Sequence, residues 1–205
     1  MPNQPQRYVL LDRDGVINRR TAGGFVTSWD QFEFLPRVLD GLRLLAENGY
    51  AALVISNQAC VGKGLLKVSE LEAITQRFRL EVALAGGNIK QVYYCLHVPS
   101  DHCSCRKPKP GAILRAQLDY GFDLKTTYFV GDSPSDLQAA SAAGCPGMLL
   151  RRDAFLEPPA LRGGATLVVS SLYEAATMIV AEPAINESWT ETARAVSAGS
   201  FSAVH

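Results

Sequence analysis

Short apolar runs that stop at polar or acidic residues alternate along this chain with stretches of helical period, and this alternation limits the fold more than any other feature. Tyr8 to Leu11, Ala51 to Ile55, Ile89 to Tyr94, Thr127 to Val130 and Gly147 to Leu150 have the length and apolar character of strands buried on both faces. Between them, Leu35 to Asn48, Ser69 to Ala85, Gly111 to Tyr120 and Pro134 to Ala143 carry helical spacing. Their start and stop signals are Pro36 in a first turn, Gly49 as a cap, Ser69 with Glu72 as a capping box, and Gly144 as a stop. Thr166 to Val169 and Leu172 to Val180 extend the series by a strand and a helix. The order predicts an α/β domain, a doubly wound, Rossmann-like parallel sheet covered by helices on both faces. With 205 residues, 47% of them hydrophobic, residues 1–181 are expected to form one domain and 182–205 a peripheral or disordered tail.

In such a sheet the carboxyl ends of the strands meet ligand. The first run ends in Asp12, Arg13, Asp14 and Gly15, the second in Ser56, Asn57 and Gln58, and the fourth in Gly131 and Asp132, with Asp136 four residues on. Arg106 and Lys107 follow the third run. Carboxylates that converge on one sheet edge repel one another unless a cation lies between them, and a hard divalent ion such as Mg²⁺ is the usual remedy. A serine hydroxyl, a lysine and an arginine facing the same point are the groups needed to hold phosphoryl oxygens, while a carboxylate can attack phosphorus. Asp136 either supports this cluster or caps the helix after Asp132.

Cys95, His97, Cys103 and Cys105 form a second constellation. Three thiols and an imidazole on a short loop are a tetrahedral zinc set, against the alternative of plain reduced cysteines. His102 is a spare ligand, but its place directly before Cys103 makes joint ligation awkward. Four protein ligands close the site, so its role is structural, to stiffen the loop that delivers Arg106 and Lys107. Cys60 and Cys145 are expected in or near the core, and Trp29, Phe32 and Phe34 in packing. Arg19 to Phe34, with Gly23 and Gly24, is predicted to be a flexible excursion above the first strand end. Cys60 to Leu66 is predicted to be a flexible rim with Lys63 available to substrate. Arg19 and Arg20 either reach substrate or are solvated charges. Twenty basic residues balance twenty acidic ones, so no net field favours nucleic acid or an anionic membrane. No apolar stretch approaches the roughly eighteen residues of a membrane span, and a soluble, cytoplasmic chain is expected.

DRDGV after an apolar strand, VISNQ, RKPKPG and VGDSPSD, in this order between Tyr8 and Leu150, resemble the four motifs of the haloacid dehalogenase superfamily of phosphohydrolases. The resemblance makes Asp12 the nucleophile and Asp14 the acid that protonates the leaving oxygen and later activates water. It implies Mg²⁺ held by Asp12, the backbone carbonyl of Asp14, and Asp132, with Asp136 in support. Ser56 would hydrogen-bond the phosphoryl group and Lys107 neutralise its charge. No gap after the first or second motif has room for a separate folded domain, so a capless member is expected. The cysteine loop narrows the resemblance to the branch that hydrolyses heptose bisphosphate or histidinol phosphate. DRDGVIN with Asn18, FEFLP and YYC resemble the heptose members, and Arg106 matches a residue that contacts their distal phosphate. The short gap from His97 to Cys103 resembles the histidinol phosphate members, and Ser133 stands where heptose members commonly have lysine. Asn57, Arg106, Arg20 and Lys63 are the expected substrate contacts. The expected activity is Mg²⁺-dependent hydrolysis of a phosphomonoester through an aspartyl phosphate, with the 7-phosphate of heptose 1,7-bisphosphate as first choice. Histidinol phosphate is the alternative substrate, and a zinc-stabilised binding module without activity the alternative of another class. The expected partner is a small phosphorylated sugar bound by a monomer, with no nucleic acid and no membrane.

Overall fold

The computed structural model describes residues 6–22, 24–151 and 167–181. Gly23, the first residue of the predicted strand at Thr166, and the predicted tail lie outside the described residues.

Six strands, β1 (Arg7–Leu11), β2 (Tyr50–Asn57), β3 (Ile89–Cys95), β4 (Phe129–Gly131), β5 (Gly147–Leu150) and β6 (Leu167–Val169), form one sheet in the order β3-β2-β1-β4-β5-β6. Every pairing is parallel. From β1 the chain builds outward through β2 and β3, then returns to the other side of β1 for β4, β5 and β6. The strand order therefore reverses between β1 and β4, the place where open α/β sheets leave a crevice for ligand. Leu11 pairs with Val130 and the Asp12 N–H donates to the Val130 carbonyl at 3.0 Å, which sets Asp12 beside Gly131 at that crevice.

Successive strand residues point to opposite faces, and each face has its own core. Val9, Leu11, Ala52, Val54 and Val130 belong to one, packed by α1 (Val38–Glu47), α3 (Val68–Leu84) and a helix over 172–181 through Leu42, Phe78 and Leu172. Leu10, Leu53, Ile55 and Phe129 belong to the other, under α4 (Gly111–Tyr120) and α5 (Pro134–Ala143) through Ile113 and Ala139. The doubly wound prediction is met. None of the described helices is long and apolar enough to cross a membrane.

The structure departs from the local predictions in four places. A short helix, α2 (Ala59–Gly62), stands where a loop was expected. α3 starts at Val68, and it is Glu70 that reaches back to accept the Lys67 N–H at 2.7 Å, so the capping interaction lies two residues earlier than Ser69 and Glu72 suggest. Pro36 falls outside α1, whose N-cap is Arg37 with φ of 60°. The excursion after β1 is packed and not loose. Phe32 stacks between Trp29 at 5.1 Å and Phe78 of α3 at 5.4 Å, Val26 is buried, and Asn18 bridges to Phe34. Stacked aromatic pairs add about 0.5–1.5 kcal/mol each beyond area burial, so this excursion is fixed above the strand end.

Candidate active site

Asp12 leaves β1 directly into the crevice and is 5% exposed. Lys107 arrives from the loop after β3, also buried, and its ammonium lies 2.8 Å from Asp12 Oδ1, 2.7 Å from Asp136 Oδ1 and 2.7 Å from the Ile55 carbonyl that accepts from it. Burial pushes the Asp12 carboxyl up to about 7; Lys107 pulls it down, while Asp136 and Asp132 push it further up. Burial acts to lower Lys107, but the two carboxylates outweigh it and hold the ammonium above its ordinary range. Asn57, at the end of β2, fixes this lysine: its Oδ1 accepts from the Lys107 N–H and its Nδ2 donates to the Lys107 carbonyl, both at 3.1 Å. The amide expected to meet substrate is thus engaged on the backbone of Lys107. The Lys107–Pro108 peptide bond is cis.

Asp136 caps the helix, as one of its two expected readings has it, and also reaches Lys107. Its Oδ2 caps α5, accepting from the N–H groups of Asp132 and Ser133 at 3.2 and 3.0 Å and from the Ser133 hydroxyl at 2.6 Å, while Oδ1 faces Lys107. Asp132, one residue past β4, receives a two-pronged contact from Arg20, Nε to Oδ2 at 2.7 Å and Nη2 to Oδ1 at 2.6 Å. Oxygens of Asp12, Asp132 and Asp136 lie within 4.8 Å of one another. Asp132 can come this close only because residue 15 is glycine. With φ of +95°, a Cβ there would lie 1.7 Å from Asp132 Oδ2.

Asp14 is held apart from this group. Arg13 grips both of its oxygens at 3.0 Å, and Asn18 and Gln58 donate to it at 2.9 and 2.6 Å. Burial works to raise its pKa, but these donors outweigh it and keep the carboxyl below the ordinary range. Gln58 also donates to Ser56 Oγ at 3.1 Å, which links the ends of β1 and β2. Arg13, Gly15, Asn18 and Gln58 were not among the predicted site residues, although each sits inside or directly beside a motif that was.

The cysteine loop is assembled as predicted. Cys95 Sγ lies 3.6 Å from Cys103 Sγ and 3.8 Å from His97 Nδ1, and Cys105 Sγ lies 3.5 Å from Cys103 Sγ and 3.4 Å from His97 Nδ1. These four donors could hold one metal ion, and His102 is outside the set. Lys109 donates to the carbonyls of His102 and Cys103 at 2.7 and 2.8 Å, tying the loop from below. Arg106 bonds the His97 carbonyl at 3.4 Å. Lys63 is exposed, with its ammonium 5.0 Å from the centre of the Phe25 ring, and Gly62 before it donates to the Leu96 carbonyl at 3.1 Å, so this rim abuts the cysteine loop.

A buried ammonium between two carboxylates, with a third acid beside them, at the switch point of a doubly wound parallel sheet, is the arrangement expected of a phosphatase of the haloacid dehalogenase type. Residues 104–175 match the HAD-hydrolase-like family model. The chain is 38% identical over 143 residues to D-glycero-beta-D-manno-heptose-1,7-bisphosphate 7-phosphatase of Pseudomonas aeruginosa, covering 70% of this chain and 80% of that protein. The enzyme of the same name from Escherichia coli is 34% identical over 171 residues, 80% of this chain and 88% of its own. Among solved structures, D,D-heptose 1,7-bisphosphate phosphatase from B. bronchiseptica, complexed with magnesium and phosphate, superposes with a TM-score of 0.80 at 32% identity, over 86% of this chain and 99% of that one. The chain belongs to the haloacid dehalogenase superfamily, in the family of these bisphosphate phosphatases, and is itself a phosphatase.

Proposed function

We propose that the protein removes the 7-phosphate of D-glycero-D-manno-heptose 1,7-bisphosphate, with Mg²⁺, through a phosphoaspartate on Asp12. The observation that carries the chemistry is the buried Lys107 ammonium between Asp12 and Asp136. The substrate follows the relatives at 34–38% identity that bear this activity in their names.

Asp12, the carbonyl of Asp14, and Asp132 would hold Mg²⁺. Two oxygens on one octahedral ion at about 2.1 Å stand ~3–4 Å apart, which suits carboxylates gathered within 4.8 Å. When bound, Mg²⁺ supplies positive charge against the phosphoryl oxygens and the attacking carboxylate. An Asp12 oxygen attacks phosphorus as the bond to the sugar oxygen breaks, and the leaving oxygen takes a proton from Asp14. In the second half, Asp14 takes a proton from water, the water oxygen attacks phosphorus, and the bond to Asp12 breaks to release phosphate. Asp14 stored as a carboxylate in the grip of Arg13, Asn18 and Gln58 suits the second half; to serve in the first half it must leave that grip and take up a proton from solvent. Ser56 and Lys107 hold the phosphoryl oxygens meanwhile.

Zn²⁺ fits the cysteine loop. A tetrahedral ion with bonds of about 2.3 Å to sulfur and about 2.0 Å to nitrogen sets sulfur pairs ~3.8 Å apart and sulfur–nitrogen pairs ~3.5 Å apart. The distances here run from 3.4 to 3.8 Å. A cytoplasmic setting suits thiols that must stay reduced to hold such an ion. Steady-state kinetics of phosphate release from both anomers of heptose 1,7-bisphosphate, histidinol phosphate and hexose phosphates tests the reading. A kcat/KM preference for heptose bisphosphate of about a hundredfold is expected, on the order of what contacts to a second phosphate can contribute. A preference for histidinol phosphate, which the short His97 to Cys103 gap and Ser133 would suit, overturns it.

A further inference from the structure

Arg20 engages both oxygens of Asp132, at 2.7 and 2.6 Å, and the two residues are 112 positions apart in sequence. The Arg20 side chain is 51% exposed and that of Asp132 13%, so the arginine reaches in from solvent toward a nearly covered acid. Among the described residues its guanidinium bonds to nothing else. Its neighbour Arg19 turns outward to Glu33 at 2.8 Å. Arg20 Nε also lies 2.9 Å from where a Gly15 Cβ would sit, so the guanidinium lies over the turn that follows Asp12 and Asp14.

Even with Arg20 the local charges fall one positive short. Arg13 pairs with Asp14, which leaves Asp12, Asp132 and Asp136 facing Lys107 and Arg20. A cation that takes Asp132 as a ligand needs an oxygen that Arg20 engages, and two positive groups on one carboxylate repel each other. Each Asp132 oxygen keeps a second lone pair, but holding both cations carries that repulsion, which is relieved when one of them yields. The half-exposed arm, on a long flexible stem, can do so by side-chain rotation alone. Once free, a planar guanidinium beside the nucleophile matches a phosphate in two-pronged geometry.

We infer that Arg20 and the divalent cation compete for Asp132, and that entry of the cation releases Arg20 to the phosphate of the incoming substrate. This rests on the magnesium reading above. By linkage, a phosphate that draws Arg20 away must strengthen cation binding by the same factor.

The test is titration calorimetry of Mg²⁺ into the zinc-loaded protein without substrate, for the wild type, Arg20→Gln and Arg20→Lys, each with and without inorganic phosphate. Arg20→Gln is expected to bind Mg²⁺ about two- to fivefold more tightly than wild type, the range of a partly exposed ion pair. Arg20→Lys, which keeps the charge without the fork, should fall between them. Phosphate should tighten Mg²⁺ binding more in the wild type than in Arg20→Gln. Equal or weaker Mg²⁺ binding by Arg20→Gln overturns competition while leaving the magnesium reading in place. If neither protein binds Mg²⁺, both fall.

Discussion

The Lys107 ammonium lies 2.8 Å from Asp12, with the lysine side chain 3% exposed and the aspartate side chain 8%. An ion pair this far from water holds only while both members are present, because a lone buried charge loses its solvation without return. Lys107→Met leaves Asp12 and Asp136 without their shared cation. Urea denaturation should record a loss of about 3–5 kcal/mol, the range for breaking a buried pair from one side. Phosphate release should fall at least about a hundredfold, the scale of removing one group that stabilises transition-state charge. A variant as stable as wild type would remove Lys107 from the centre of the site.

Asp12 gives the pair a pH signature. Its folded pKa is raised, to about 7, above the ordinary value of 3.8, chiefly by burial. The native state therefore keeps a proton that the unfolded chain gives up, and the stability this contributes is present below pH about 4 and lost as pH rises through about 7. In magnesium-free buffer, stability of the wild type should fall across that window more steeply than that of Asp12→Asn, which has no proton to lose. The same variant should have no turnover. Parallel stability profiles for the two proteins would refute the raised pKa, and residual turnover at the wild-type rate would refute the nucleophile.

Gly15 is a steric gate for Asp132. A methyl group there would lie 1.7 Å from Asp132 Oδ2, at a φ of +95° that L residues rarely adopt. Gly15→Ala must shift either the turn or the Asp132 carboxylate. The expected result is a Mg²⁺ affinity and a kcat both lowered by about tenfold or more, since small misplacements at a site cost this much. Far-ultraviolet circular dichroism should remain that of the wild type. Unchanged Mg²⁺ affinity would show that Asp132 does not need this approach.

Arg106 is the single residue between Cys105 and Lys107, so a metal held by the cysteine loop would bear directly on the lysine. Cys103→Ser should lower zinc content from one ion per chain, lower the Tm and reduce kcat, because the loop that carries Lys107 loses its tie. Elemental analysis and a thermal melt read the first two. Full zinc content in the variant would move the ion to a different ligand set, with His102 the next donor to test.

Much of this was legible from local pattern alone. An apolar strand that ends in Asp12, Ser56 or Asp132 states both its burial and the polar group at its tip, since burial and strand length are short-range signals. Cys95 to Cys105 declares itself because its ligands are close in sequence and need no tertiary partner to meet. What could not be read are pairings made by the fold. Arg20 meets Asp132 across 112 residues and Asn57 meets Lys107 across 50, and no local signal distinguishes either from a solvated side chain. The excursion looked loose because Gly23 and Gly24 break its period, whereas its order comes from Phe32 stacking on Phe78 of a distant helix.

Asn57 separates a substrate contact from a positioning role. Both ends of its amide bond the backbone of Lys107, at 3.1 Å each, so its action on the reaction runs through the lysine. Removing it frees the chain at residue 107 without removing any charge from the site. Asn57→Ala should therefore lower kcat by about tenfold or more with KM little changed, the pattern of an interaction felt in the transition state rather than in substrate binding. Asn57→Asp keeps the acceptor for the Lys107 N–H and loses the donor to its carbonyl, so it should recover only part of the rate. A rise in KM with kcat intact would instead return Asn57 to the substrate, and would require its amide to leave Lys107 when substrate binds.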